Sequence, residues 1–175
     1  LWFAVAPDDS LVVYRELYVS KVLAEDLAVM VLNAESEEKI RYGVLDSSCW
    51  HKRGDTGPSI AERMIMKGCR WRPADRSAGS RIAGKNEIHR RLQVDQYTDA
   101  PRIVFFNTCT QIIADLPTLP IDKTNSEDIN TKVSNDHTYD ALRYGVMSRP
   151  RSGLFDFDPA AQSSGMRVAD PVFGY

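Results

Sequence analysis

Short runs of β-forming residues alternate along this chain with segments whose apolar side chains recur at helical spacing. That alternation confines the fold to layers of helix on sheet. Residues 1–6 and 11–19 are β-rich and are separated by Pro7-Asp8-Asp9-Ser10, turn chemistry that predicts a hairpin. Ser20 is placed to cap a helix carrying Leu23, Leu27, Met30 and Val31 to about Ala34, and the acidic run 35–38 reads as a solvated link. The run 40–46 is almost continuously apolar before it ends in Asp46, which predicts a central strand covered on both sides. Pro58 can open a helix carrying Ile60, Met64 and Ile65, ended by Gly68. Residues 69–73 read as a short strand, 74–85 as a loop, and 86–94 as a helix carrying Ile88 and Leu92. A strand over 102–106 follows Pro101, and Thr108 can cap a helix through Ile112, Ile113 and Leu116, stopped by Pro117. The polar stretch 119–134 reads as a hairpin or an ordered loop, and a final helix spans about 136–147, closed by Pro150. An antiparallel ribbon followed by alternating α and β elements predicts a mixed sheet with helices on both faces.

The chain has 175 residues, 43% of them apolar, enough for one domain with a sizeable core, placed at residues 1–150. Residues 151–175 are rich in Ser, Gly, Pro and Asp without periodicity and read as a tail with little structure of its own. A net charge of −2 gives no global field for nucleic acid, so any such contact needs a local patch. Cys49, Cys69 and Cys109 are odd in number and form no CxxC pair. They argue against a disulfide framework and a zinc site, and for a reducing compartment. No apolar run is long enough to cross a bilayer. The sequence opens on Leu1-Trp2-Phe3 without an initiator Met, as though inside a strand of something longer.

The chemistry concentrates in Asp136-His137-Thr138-Tyr139-Asp140. Asp136 and Asp140 share one helix face, with His137 beside Asp140, whereas Tyr139, Leu142 and Val146 lie on another face and can pack inward. Two carboxylates so placed repel unless a cation or a shared proton sits between them. Oxygen donors favour Mg²⁺ or Mn²⁺, and two such ions held by acids from different elements can activate water and stabilise the leaving oxygen of a phosphodiester. The alternative is an N-cap Asp136 and a first-turn Asp140 favoured by the helix dipole. Asp46 raises the odds of a site, because ligands bind at the carboxyl ends of strands in open α/β sheets, although it can equally start a turn before Ser47-Ser48. Positive charge gathers between Arg70 and Arg91, and Arg72, Arg76, Arg81 and Lys85 are the candidate DNA-backbone contacts. An ordinary solvated helix face is the competing explanation for that stripe. Residues 79–86, Gly-Ser-Arg-Ile-Ala-Gly-Lys-Asn, nearly spell a P-loop, but Asn86 lacks the hydroxyl for Mg²⁺ and the stretch reads as a flexible glycine loop.

Asp136-His137-Thr138-Tyr139-Asp140-Ala141-Leu142-Arg143-Tyr144, preceded by Glu127-Asp128-Ile129-Asn130-Thr131, resembles the end of the nuclease domain of tailed-bacteriophage large terminase subunits. Val12-Val13-Tyr14-Arg15-Glu16-Leu17, Val44-Leu45-Asp46-Ser47-Ser48 and Phe105-Phe106-Asn107-Thr108-Cys109 agree in order and spacing, so the resemblance spans roughly residues 1–150. It implies a ribonuclease H-like fold and a two-metal-ion endonuclease that cuts double-stranded DNA concatemers during genome packaging. By motif position, Asp46 and Asp140 would be catalytic carboxylates and ligands of two Mg²⁺ or Mn²⁺ ions. His137 would be a metal ligand or water-orienting group, Asp136 a further ligand, and Asp128 a hairpin residue beside the site. The implied partners are double-stranded DNA, the terminase small subunit and the portal protein, in the host cytoplasm and not in the mature virion or a membrane. The sequence departs from the pattern in one respect: similar domains carry a first catalytic Asp on a strand before the run matching 1–6, and Asp8 and Asp9 are poor substitutes. The packaging ATPase domain is also absent from the sequence, so ATP hydrolysis is not expected. A resolvase- or transposase-like nuclease and a non-catalytic DNA-binding or docking module are the alternatives.

Overall fold

A computed structural model describes residues 1–52, 57–119 and 137–149. In chain order, β1 (Trp2–Val5) and β2 (Leu11–Arg15) precede helix α1 (Ala24–Glu35) and strand β3 (Gly43–Leu45). Helix α2 (Ile60–Met66), β4 (Trp71–Pro73) and α3 (Ser80–Leu92) follow. The short strands β5 (Val94–Asp95) and β6 (Ala100–Pro101) lead to β7 (Ile103–Phe105), α4 (Thr110–Asp115) and α5 (His137–Met147). The molecule is an α/β fold in which the described strands form three short sheets.

The expected hairpin is present. β1 and β2 pair antiparallel, Phe3 opposite Val13 and Val5 opposite Leu11. β7 joins the other edge of β2 in parallel, Leu11 opposite Ile103, giving the order β1-β2-β7 and a mixed sheet. Successive strand residues face opposite ways, and helices cover both faces. On one face Leu11, Val13 and Ile103 bury against Ile88 of α3, Ile112 of α4 and Tyr139, Leu142 and Val146 of α5, with Phe3 packed alongside. The inward face expected for the last helix is therefore the buried one. On the other face Trp2 meets Ala24, Ala28 and Val31 of α1 and Met64 of α2, with Tyr14, Leu45 and Trp71 alongside.

Several local expectations are corrected. The predicted central strand over 40–46 shortens to Gly43–Leu45 and pairs in parallel with β4 alone among the described residues. Tyr42 leaves the ladder because its ring takes the Arg72 guanidinium at 4.3 Å and its hydroxyl donates to the Ser148 carbonyl at 3.2 Å. Helix α1 starts after Leu23 with no side-chain cap, so Ser20 does not cap it. Helix α2 is capped by Ser59, not opened by Pro58: Ser59 and Glu62 form a reciprocal capping box. Gly68 does end that helix region, at φ +111°. Thr108 is replaced as the cap of α4 by Glu16, whose two carboxylate oxygens accept the Gln111 and Ile112 amides at 2.8 Å each.

The supposed glycine loop is helix. α3 begins at Ser80, after Gly79 in the left-handed region at φ +81°, and Gly84 and Lys85 lie within its turns. Gly84 is a packing glycine: a Cβ there would stand 2.5 Å from Cγ of Arg143 on α5. The predicted extension of this helix to Val94 also fails, because Val94–Asp95 turns back to pair with Ala100–Pro101. The hairpin or ordered loop expected over 119–134 lies, apart from Leu119, outside the described residues, as does the tail over 151–175.

Candidate functional site

Asp46 is the residue at which β3 gives way to a single 3₁₀ turn, Ser47–Trp50. Its Oδ1 caps that turn by accepting the Ser48 amide at 2.7 Å, so the turn-starting role open to it in the sequence is real. The other oxygen is used across the fold. Oδ2 accepts the hydroxyl of Tyr144, 98 residues later on α5, at 2.6 Å. Arg76 stands 3.8 Å from Oδ1. Partial burial works to raise the Asp46 pKa, but the Tyr144 and Ser48 hydrogen bonds and the Arg76 charge outweigh it. The net result lies below the usual carboxylate value.

Asp140 stands one turn before Tyr144 on the same helix face. Its Oδ1 accepts from Nε and a terminal nitrogen of Arg143 at 3.1 and 2.9 Å. Arg143 in turn places its guanidinium 4.4 Å from the centroid of the Tyr144 ring. A connected network results: Asp140 to Arg143, Arg143 over Tyr144, Tyr144 to Asp46, Asp46 to Arg76. The Tyr144 hydroxyl feels both acids. Burial, the hydrogen bond to Asp46 and the charges of Asp140 and Asp46 push its pKa up to about 12. α5 is anchored over this site at its start by Thr138, whose hydroxyl donates to Asp115 at 2.7 Å. Further along, Gly145 comes so close to β1 that a Cβ would meet the Phe3 ring at 2.5 Å.

The remaining candidates divide. His137 is the first residue of α5 and is exposed. Asp136 and Asp128 lie outside the described residues. Arg76 is exposed beside Asp46; Arg72 is also exposed, on β4, where the register sets it opposite Val44 and its guanidinium lies over the Tyr42 ring. Arg81 and Lys85 are half-buried on α3. The far end of the basic stripe is structural: Arg91 is buried against Asp9 and Glu87, and Arg90 pairs with Glu87 at 2.6 Å.

As metal ligands, the two acids are of the right kind, with carboxylate oxygen suiting hard divalent cations. Their side chains are 34% and 24% exposed, so a hydrated ion can reach them. Among the described residues, however, no group of three or more His, Cys, Asp or Glu side chains is gathered closely enough to hold an ion. Arg143 and Tyr144 were not singled out in the sequence, although both sit at helical spacing from Asp140, the signal by which they could have been found. No helix among the described residues is long and apolar enough to cross a membrane. Comparison with known proteins finds no matching family model, no similar curated protein and no similar solved structure.

Proposed function

We propose that this chain is a metal-dependent nuclease domain of ribonuclease H type, of the kind that cuts double-stranded DNA in phage genome packaging. One observation carries the reading. The Tyr144 hydroxyl donates to Asp46 at the end of β3 from α5, the helix that carries Asp140 one turn earlier. The fold supports it: a mixed three-stranded sheet has helices on both faces, and Leu45 and Trp71 of the β3–β4 pair share an apolar cluster with Trp2 of β1.

In this reading Asp46 and Asp140 hold Mg²⁺ or Mn²⁺, with His137 and Asp136 as further ligands or water-orienting groups. The bound cations supply Lewis-acid stabilisation of charge at phosphorus and a water activated at neutral pH. The chain's own residues position the substrate. Arg76, exposed beside Asp46, and Arg72, exposed on β4, hold phosphate oxygens of the DNA backbone, and Arg81 and Lys85 extend the track along α3. Such contacts carry little base information, so sequence preference is low. The terminase small subunit and the portal would be the protein partners.

The test is nicking of supercoiled plasmid with Mn²⁺. Asp140→Ala and Asp46→Asn should abolish cutting, and unchanged cutting after Asp140→Ala refutes the assigned role. A second reading is favoured by the neutralised state of the acids, since Arg143 and Arg76 already balance them. It makes the chain a non-catalytic DNA-binding module. DNA binding without Mn²⁺ binding or cutting would decide for it.

A further inference from the structure

We propose that the outward face of β4 is a contact site for nucleic-acid phosphates, at which Arg70 and Arg72 take successive phosphates of one strand and Tyr42 is the positioning residue for Arg72. The inference rests on the nucleic-acid reading above, but on neither bound metal nor catalysis. It adds Arg70 and Tyr42 to the surface which that reading describes. The segment Cys69-Arg70-Trp71-Arg72 alternates between core and solvent, as a strand does. Cys69 is buried and Trp71 packs against the same apolar cluster, whereas Arg70 and Arg72 are exposed. Gly43 fixes that facing, because the Trp71 ring takes the space of a side chain there and a Cβ at Gly43 would collide with it. The Arg70 carbonyl accepts the Gly43 amide at 2.7 Å, so the pairing with β3 reaches Arg70.

Residues i and i+2 of a strand stand about 7 Å apart on one face, a spacing close to that of neighbouring phosphates along a nucleic-acid strand. Neither guanidinium has a carboxylate partner among the described residues, in contrast to Arg90 and Arg91 at the far end of the basic stripe. Their donors are open to a ligand. Arg72 is also held in advance. Its guanidinium lies over the Tyr42 ring at 4.3 Å, and the Tyr42 hydroxyl donates at 3.2 Å to the carbonyl of Ser148, just past α5. A guanidinium covered on one face by an aromatic ring keeps its N–H edges free, and its planar fork matches phosphate oxygens. Fixing it beforehand reduces the side-chain freedom lost on binding. Exposed Arg76 follows in the same segment, so positive charge continues past the strand, as contact with a continuous polyanion needs.

The experiment measures binding of a labelled DNA duplex of arbitrary sequence by fluorescence anisotropy, in EDTA and over a series of salt concentrations. The proteins are the wild type, Arg70→Ala, Arg72→Ala, Tyr42→Leu and the double variant Arg72→Ala with Tyr42→Leu, with circular dichroism as the check on folding. The slope of log K against log salt should fall by about 0.9 for each arginine removed, one phosphate contact apiece. Tyr42→Leu should weaken binding roughly two- to five-fold, what an exposed cation–π contact contributes, and should have no further effect once Arg72 is gone. Equal weakening by Tyr42→Leu with and without Arg72 overturns the positioning role. Unchanged slopes in both arginine variants overturn the β4 site and leave DNA binding to Arg76, Arg81 and Lys85. Polyglutamate that competes as well as unlabelled duplex overturns the assignment to phosphate. No DNA binding by the wild type overturns the nucleic-acid reading and this site with it. The two arginine variants change exposed side chains, so the site stays testable even where Tyr42→Leu does not fold.

Discussion

Replacing Gly84 by Ala should destabilise the protein, against the helix propensity of the two residues. Gly84 lies in the interior of α3, where Ala is ordinarily favoured by about 1 kcal/mol. The opposing effect comes from α5. The new Cβ would stand 2.5 Å from Cγ and 2.9 Å from Cδ of Arg143, and 3.2 Å from Cγ of Met147. Carbon atoms are comfortable at about 3.5–4.0 Å, so the helices must part by about 1 Å or Arg143 must move. Arg143 has little room to do so: its side chain is 6% exposed and its guanidinium is tied to Asp140. Overpacking of this kind costs about 1–3 kcal/mol. Set against the propensity gain, the net effect is a loss of about 1 kcal/mol, or roughly 2–4 °C in Tm for a chain of this size. Urea denaturation of the wild type and Gly84→Ala measures it directly. A stabilised Gly84→Ala would refute the close approach of α3 and α5. In a companion Arg143→Ala background the loss should shrink, because the two closest contacts are then gone and only Met147 Cγ at 3.2 Å remains.

Two further outcomes follow from other contacts in the fold. Glu16→Ala removes both acceptors from the start of α4 and should destabilise by about 1–2 kcal/mol, as caps and charged hydrogen bonds do. Glu16→Gln, which keeps one oxygen, should cost less, and urea midpoints for the pair would show equal losses if Glu16 did not cap. At high pH the sign follows from two tyrosines. Burial and the Glu38 hydrogen bond push Tyr14 up to about 12, and Tyr144 lies at about 12 for the causes given above. A folded-state pKa above the unfolded value of about 10 gives stability that is complete below pH 10 and lost as pH rises towards 12. The urea midpoint should fall across that window, and Tyr14→Phe with Tyr144→Phe should flatten the fall. A flat wild-type profile would count against both hydrogen bonds.

Element types were legible in the sequence where a local signal and the tertiary environment agree. The Pro7-Asp8-Asp9-Ser10 turn and its flanking β-branched residues form the expected hairpin, and the inward row Tyr139, Leu142, Val146 is buried as helical spacing requires. Boundaries failed where a distant partner decides them. Gly79 and Gly84 look like loop glycines, yet one caps α3 and the other admits Arg143. Tyr42 looks like strand, yet Arg72 and Ser148 claim it. The cap of α4 is invisible locally because Glu16 precedes Gln111 by 95 residues. The small β5–β6 turn did leave a trace, since the Asp95 carboxylate accepts the Tyr97 and Thr98 amides, an Asx turn within a polar stretch. For the candidate site, Asp46 and Asp140 were conspicuous as acids at element ends. The side chains that link them were not, because a tyrosine and an arginine on a helix ordinarily mean only packing.

Asp9, at the tip of the first hairpin with φ +73°, is gripped from two directions. Its carboxylate pairs with Arg91 of α3 and with Arg149 just past α5, and its carbonyl accepts from both. The span from residue 9 to residue 149 covers 140 positions. During synthesis the ribosome therefore releases the opening ribbon long before its latch exists. Nascent chains carry Leu11, Val13 and Phe3 with only the α3 and α4 part of their helical cover until α5 emerges.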